Sequence, residues 1–332
     1  MKVAINGFGR IGRSVFRILD QNNDIEVVAI NDLSSQESLA YLLKYDTVMG
    51  RFSGNVYIDN NLMHTDNETI QMLCEKNPEN LPWKDLDVDI VIESTGVFTK
   101  SELLNKHLTA GAKKVLLTVP AKDEIDNTIV IGVNEDTLKP EHRVVSNASC
   151  TTNCLAPMAK ILNEKFGIKQ GVMNTVHAYT NDQRLADVPH SDLRRSRAAA
   201  ENIIPTSTGA ARAVGKVLPI MNGKLDGIAS RVPVPDGSVV DLFVELKSDV
   251  SVESLNEAIL ESSQSERMKN ILCYSDSPIV SSDIIGNPYS SIYDSKCTKV
   301  NGGRYVRTLN WYDNEWGYSN RVVDLLGLMH KS

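Results

Sequence analysis

The chain has 332 residues, enough for about two domains at roughly 150 residues each, and either would be large enough to bury a core of its own. With 42% apolar and 23% charged residues and a net charge of −7, it reads as an ordinary globular protein, and a general role on nucleic acid or an anionic membrane gains no support. No apolar run reaches the length of about 18 residues needed to span a membrane, and the opening Lys2-Val3-Ala4-Ile5-Asn6 is strand-like rather than a secretory leader.

In chain order, the first half alternates between short β-rich runs and helical patterns. Strands are expected at Val3–Asn6, Glu26–Asn31, Val88–Ser94, Lys114–Thr118, Thr128–Val133 and Arg143–Ser146. Helices are expected at Ile11–Leu19, Gln36–Leu43 and Leu103–Thr109. That alternation predicts an α/β fold with a doubly wound, mostly parallel sheet of the Rossmann kind. The second half has longer strands that are polar on alternate residues, such as Gly171–Ala178, Gly227–Val232 and Val239–Leu246, with helices over Cys154–Lys165 and Val252–Ser263. This predicts a second, α+β domain whose sheet has one face on helices and the other on solvent or a neighbouring subunit. The boundaries are placed at 1–148, 149–314 and a last helical segment, Glu315–Met329 within 315–332, that packs back on the first domain.

Gly7-Phe8-Gly9-Arg10-Ile11-Gly12 is a GxGxxG run between the first strand and the first helix. In such a turn Gly7 allows the tight bend, Gly9 lets the backbone approach a pyrophosphate, and Gly12 permits close helix–strand packing. Alone the pattern is weak. Asp32, twenty positions beyond Gly12 at the end of the second strand, strengthens it, since an acid there bonds ribose hydroxyls. The carboxylate would repel a 2′-phosphate and Leu33-Ser34-Ser35 offers no arginine, which favours NAD over NADP. The competing reading of Asp32 is a helix N-cap.

Five scattered cysteines, Cys74, Cys150, Cys154, Cys273 and Cys297, argue against a disulfide scaffold and for a reducing compartment, with cytoplasm the default. None has zinc-ligand spacing, and no metal site is expected. Cys150 lies between an apolar strand and a helical pattern, where the positive end of the helix dipole favours thiolate. Taken singly, a cysteine is more often a buried apolar residue, and Cys154, one turn on, is expected to point into packing. Of the six histidines, His177 lies on an apolar strand, but spacing does not choose it over His190 as a base.

Taken together, Asn6–Arg13 (NGFGRIGR), Ser146–Asn153 (SNASCTTN), His177–Thr180 (HAYT), Pro205–Ala211 (PTSTGAA), Arg231–Pro235 (RVPVP) and Trp311–Tyr318 (WYDNEWGY) resemble phosphorylating glyceraldehyde-3-phosphate dehydrogenases, in the family's order and over nearly the whole chain. The resemblance implies NAD-dependent oxidation of glyceraldehyde 3-phosphate through a cysteine thioester, which inorganic phosphate releases as 1,3-bisphosphoglycerate. It makes Cys150 the nucleophile and His177 its base. Arg10, Ile11 and Asp32 would contact the pyrophosphate and adenosine ribose, Thr118 would line the nicotinamide side, and Asn314 would hold the carboxamide. Ser149, Thr151, Thr208 and Gly209 would bind inorganic phosphate; Thr180, Arg195 and Arg231 would serve the substrate phosphate. Thr180–Ile203 would pack between subunits of a homotetramer.

Two positions depart from the pattern. Lys76 stands where an arginine usually lies near the adenine, and arginine stacks on a base better than lysine. Asp236-Gly237 stands where the family often has Asn-Val. Rival readings are an erythrose-4-phosphate dehydrogenase, an NADP-preferring relative and a non-catalytic binding protein on the same fold. Thr180, Thr208 and Gly209 speak against the first, Asp32 and Val188-Pro189 against the second, and the retained Cys150 and His177 against the third.

Overall fold

The computed structural model describes all residues, Met1–Ser332. They divide into two compact units: residues 1–129, 136–149 and 319–332 form the first, and residues 130–135 and 150–318 the second.

The first unit contains β1 (Lys2–Asn6), α1 (Arg10–Leu19), β2 (Glu26–Asn31), α2 (Gln36–Lys44), β3 (Tyr57–Asp59), β4 (Leu62–His64), β5 (Thr69–Leu73), β6 (Ile90–Glu93), α3 (Ser101–Thr109), β7 (Lys114–Leu117), β8 (Asn127–Thr128) and β9 (Val144–Ser146). They make one sheet in the order β3-β4-β5-β2-β1-β6-β7-β9-β8. All neighbouring pairs from β5 to β8 along that order are parallel, and β3 and β4 add an antiparallel edge. The strands on either side of β1 are reached in opposite directions along the chain. That reversal between β1 and β6 is where doubly wound sheets bind ligands, outside the carboxyl ends of their strands. β1 and β6 carry unbroken apolar runs because the sheet is covered on both faces: Val3, Ala4, Ile5, Val91 and Ile92 are all fully buried.

One expected strand does not form. Of Thr128–Val133 only Thr128 is in a strand, and Val130–Glu135 belongs to the second unit. The chain turns here because Gly132 takes φ +88° and the Asn134 side chain accepts the Val130 N–H at 2.9 Å. An apolar run alone did not reveal that turn.

The second unit contains α4 (Cys150–Phe166), β10 (Ile168–Ala178), β11 (Ile204–Ser207), α5 (Ala210–Val217), β12 (Leu225–Val232), β13 (Ser238–Leu246), α6 (Val252–Ser263), β14 (Leu272–Ser275), β15 (Ser291–Asp294), β16 (Lys299–Asn301), β17 (Tyr305–Tyr312) and the start of α7 (Trp316–Lys331). Its sheet runs β11-β12-β10-β13-β17-β15-β14, with β16 beside β17. Most pairs are antiparallel; β10–β12 and β14–β15 are parallel. Over its second half β13 alternates: Leu242, Val244 and Leu246 are buried while Phe243 is exposed. The buried face packs on α4, whose Cys154, Leu155, Met158, Ile161 and Leu162 are almost fully enclosed.

Candidate active site

In the first unit the glycine turn has the shape a dinucleotide requires. Gly7 takes φ +93°, and a Cβ there would sit 2.6 Å from Thr95 N; a Cβ on Gly12 would sit 2.2 Å from Gly7 O. Gly9 is the N-cap of α1 and supplies no side-chain cap. The helix therefore turns its N-terminus, with the N–H of Ile11 in its first turn, to where an anion would sit. The Arg10 guanidinium is engaged by Asp46. Asp32 is not a helix N-cap, since Ser35 fills that position for α2. Its Oδ2 accepts the Phe8 N–H at 2.8 Å and its Oδ1 the Ser34 N–H at 2.9 Å, which fastens the glycine turn to the end of β2. These features fit NAD.

Beneath the turn runs a buried polar chain that motif reading missed. Asn6 donates to Glu93 Oε2 at 2.6 Å, and Asn31 donates to Asn6 Oδ1 at 2.7 Å. Asn31 also makes paired bonds with the backbone of Glu75, at 2.8 and 2.9 Å, which places exposed Lys76 beside the end of β2. Glu93 further accepts the Thr95 N–H and bonds buried His107. Asn6, Asn31 and Glu93 each end an apolar strand, and three polar residues at three parallel strand ends were the available signal. Thr118, at the end of β7, spends its hydroxyl on the Glu93 carbonyl at 3.1 Å.

The second unit assembles the expected chemistry from strand register. β10 and β12 pair so that His177 lies opposite Arg231. β13 starts beside them with Ser238, and β17 ends there with Tyr312, paired to Ser238. Cys150 opens α4, immediately after Ser149 and a turn in which Ala148 takes φ +55°. That conformation costs a non-glycine residue about 1 kcal/mol or more and is held here by a bond from Ala148 N to Ser146 Oγ. Cys150 Sγ lies 3.6 Å from His177 Nε2. His190, the competing base, bonds the Asp192 backbone and faces Asp182 instead.

His177 is enclosed on every side. Its Nδ1 lies 2.7 Å from the Ala178 carbonyl and 2.6 Å from Arg231 Nη1. The first partner accepts a proton and the second donates one, so the partner that holds Nδ1 decides the tautomer. The Tyr312 ring meets the imidazole edge-on at 5.8 Å, and its hydroxyl bridges Thr151 and Thr175 at 2.8 Å each. The same Ser238 hydroxyl accepts the Ala178 N–H at 3.1 Å and donates to Asn314 Oδ1 at 2.6 Å. Ser238 carries no local sequence signal and Tyr312 only its place in the Trp311–Tyr318 motif; the sheet register brings both to His177.

The electrostatics qualify the helix-dipole argument. Burial pushes the Cys150 thiol up, against the pull of Arg231 and of Thr151. Burial, reinforced by Arg231, pushes the His177 imidazolium down to about 3. Each charge is therefore opposed singly, whereas a thiolate and an imidazolium 3.6 Å apart cancel one another. Arg231 is itself half-buried, and its enclosed Nε lacks a partner, an orphaned donor that an oxyanion would satisfy. Cys154 is buried, its sulfur against Ser291 and the Asn310 carbonyl, and burial raises it far above the ordinary thiol range.

The remaining anion contacts are less converged. Arg195 is tied to Asp182, to Thr206 at 2.9 Å and to the Ser207 carbonyl at 3.3 Å. Thr180 N–H donates to the Gln183 side chain. Thr208 and Gly209 begin α5, where Thr208 Oγ1 accepts the Ala210 N–H, and they make no hydrogen bond to Cys150 or His177.

Comparisons with known proteins agree with this arrangement. Residues 1–101 match the family model of the glyceraldehyde 3-phosphate dehydrogenase NAD-binding domain, and residues 149–314 match that of the C-terminal domain. The chain is 58% identical to a glyceraldehyde-3-phosphate dehydrogenase of Streptomyces coelicolor, over 98% of this chain and 97% of the relative. It is 57% identical to that of Geobacillus stearothermophilus over the same shares. It is 55% identical to glyceraldehyde-3-phosphate dehydrogenase 1 of Bacillus subtilis, over 100% and 98%. With both halves matched and more than half of all positions shared, the chain belongs to the glyceraldehyde-3-phosphate dehydrogenase family.

Proposed function

We propose that Cys150 and His177 carry the NAD-dependent, phosphate-requiring oxidation of glyceraldehyde 3-phosphate that belongs to this family, with residues 1–148 as the NAD-binding domain and 149–314 as the catalytic domain. The observation that supports this most directly is the 3.6 Å contact between Cys150 Sγ and His177 Nε2 at a helix N-terminus.

The Cys150 sulfur bonds to the aldehyde carbon, and the thiol proton, carried by His177 Nε2, passes to the carbonyl oxygen to give a hemithioacetal. His177 Nε2 then removes that hydroxyl proton while the carbon–oxygen double bond reforms and the C–H bond breaks. Bound NAD supplies the acceptor for the hydride. The resulting thioester keeps the energy of the oxidation. An oxygen of inorganic phosphate attacks it, the carbon–sulfur bond breaks, and Cys150 leaves as thiolate with an acyl phosphate as product. Gly7, Gly9, Arg10, Ile11, Gly12, Asp32, Lys76, Thr118 and Asn314 are assigned to the dinucleotide. Arg231, with its orphaned Nε–H beside the base, is assigned with Thr180 and Arg195 to the substrate phosphate. Ser149, Thr151, Thr208 and Gly209 are assigned to inorganic phosphate.

We further assign the protein to the cytoplasm, consistent with five unpaired cysteines, and to a homotetramer. Exposed Val172, Ile228, Phe243 and Tyr305 on one face of the second sheet support burial against another copy. NADH formation from glyceraldehyde 3-phosphate, followed with and without phosphate and repeated on Cys150→Ser, tests the reaction. Turnover is expected only with phosphate and only in the wild type; a Cys150→Ser protein keeping more than about a tenth of the activity rules out the nucleophile, because losing a covalent catalyst costs several orders of magnitude. Light scattering of the purified protein tests the tetramer, which a monomer-only result refutes.

A further inference from the structure

Asp236 is one of the two departures from the family pattern, and the reaction above gives it no part. It is buried, with 1% of its surface exposed, and so is Asp313. The two carboxyl groups lie within hydrogen-bonding reach of each other. Asp313 spends both oxygens as acceptors: Oδ2 takes the Gly286 N–H at 2.7 Å, and Oδ1 takes the N–H groups of Glu315 and Trp316 at 2.8 and 2.6 Å. Asp236 Oδ1 takes the Gly237 N–H at 2.8 Å, but Oδ2 has no donor to accept from. Two carboxylates cannot share a hydrogen bond without a proton. Asp313 is engaged as an acceptor at both oxygens, so the carboxyl with an oxygen left over to carry that proton is Asp236, at Oδ2.

The turn that carries Asp236 is fixed on three sides. Gly237 takes φ +86°, with Ser281 O only 2.3 Å from where a Cβ would stand. Ser238, the next residue, bonds both Ala178, directly after His177, and Asn314, directly after Asp313. Residues 236–238 therefore link the strand end bearing His177 to the segment bearing Asn314.

We propose that Asp236 is a positioning residue for the reaction: as a neutral carboxylic acid it donates to Asp313 and locks the Asp313–Asn314 segment and the Ser238 bridge in place. Where the family often has Asn, the amide N–H would make the same bond; here a titratable O–H makes it. The charged and titratable groups around it are Asp313 and Glu315, both of which hold the proton on, and the Cys150 sulfur, whose ionisation an Asp236 carboxylate would oppose. Burial and Asp313 push the Asp236 carboxyl up to about 9. Above that pH the shared proton is lost, the two carboxylates repel and the bridge loosens.

This inference rests on the roles assigned to Cys150, His177 and Asn314, so one test does not depend on them. Infrared difference spectra of the NAD-free protein, titrated from pH 6 to 11, should show a protonated-carboxyl band that disappears on the alkaline side in the wild type and is missing from Asp236→Asn. Persistence of the band in Asp236→Asn overturns the proton assignment. Kinetics then test positioning. Asp236→Ala, which has no donor, should lose tenfold or more in kcat/KM for NAD at pH 7, and Asp236→Asn should restore most of it. Between pH 8 and 10.5 the wild type should lose at least fivefold more of this parameter than Asp236→Asn. Parallel alkaline losses in the two proteins, or an Ala variant as active as the wild type, overturn the positioning role even where the infrared result holds.

Discussion

Replacing His177 by Asn keeps the approximate size of the side chain but removes the nitrogen that faces Cys150. At 3.6 Å, a thiolate–imidazolium pair gains on the order of 5 kcal/mol at an effective dielectric constant near 20. Against this stands an imidazolium held down to about 3, which costs roughly 5 kcal/mol to form at pH 7. The attraction offsets the imidazolium's cost but not that of ionising the Cys150 thiol, which burial also raises, so the ion pair is a minor population; its loss should be felt without abolishing the thiolate, because Arg231 still favours sulfur ionisation. Iodoacetamide should alkylate Cys150 about ten- to a hundredfold more slowly at pH 7, while kcat falls about 10²–10⁴-fold, the usual cost of losing a general base. Both are to be measured across pH 6–9 on one preparation, together with its melting temperature. If alkylation and kcat stay within twofold of wild type and only the melting temperature falls, His177 is structural and the reasoning fails. His190→Asn, whose ring faces Asp182, is the control; a larger catalytic loss there would transfer the assignment.

Asp32→Gly removes both the ribose acid and the anchor of the Phe8 N–H; NAD binding should weaken by about 1–3 kcal/mol and relative NADP use should rise, and a wild type that already prefers NADP in steady-state kinetics contradicts the assignment. Gly7→Ala forces a Cβ to within 2.6 Å of Thr95 N at φ +93°; a loss of about 1–3 kcal/mol in stability and at least tenfold in NAD affinity should appear in melts and in fluorescence titration, and an unaffected NAD affinity would dissociate the turn from the cofactor. For Asp236 the folded state holds a proton that the unfolded chain releases near pH 4, so its contribution to stability is full below that pH and is lost as pH rises towards about 9. Asp236→Asn should therefore gain melting temperature relative to wild type from pH 5 to pH 9; a gap that stays constant with pH counts against the shared proton.

The strongly patterned elements were readable from sequence. α6 spans Val252–Ser263 as expected, because Ser251 makes a capping box with Ser254 and buried Leu255 and Ile259 lie four apart. β2 over Glu26–Asn31 likewise ends where its apolar run does. The short strands β3 and β4 went unread, since two three-residue edge strands closed by Asn60 and Asn61 at positive φ bury only Met63. At the site, the local motifs marked Cys150 and the glycine turn, whereas the choice of His177 over His190 depended on family resemblance. Register explains why: His177 meets Arg231 from 54 residues away, and Tyr312 reaches Thr175 from 137. No local pattern encodes such pairings, and the same holds for the Asp236–Asp313 contact, visible in sequence only as an unexplained departure.

The split of the chain also bears on how the protein is made. Ser319–Ser332 belongs to the first unit, where Lys114 Nζ bonds the carbonyls of Met329 and Ser332 and buried Val322, Leu325, Leu326 and Met329 lie on α7. On a ribosome, residues 1–149 emerge first yet lack this helix until about 170 further residues have been synthesised, at ~5–20 residues per second. The unit translated first is thus completed last, and for roughly ten to thirty seconds the nascent chain shows the apolar surface that α7 will cover. A chain arrested before residue 319 should consequently be a preferred client for chaperones that recognise exposed hydrophobic segments, even though its catalytic strands are already present.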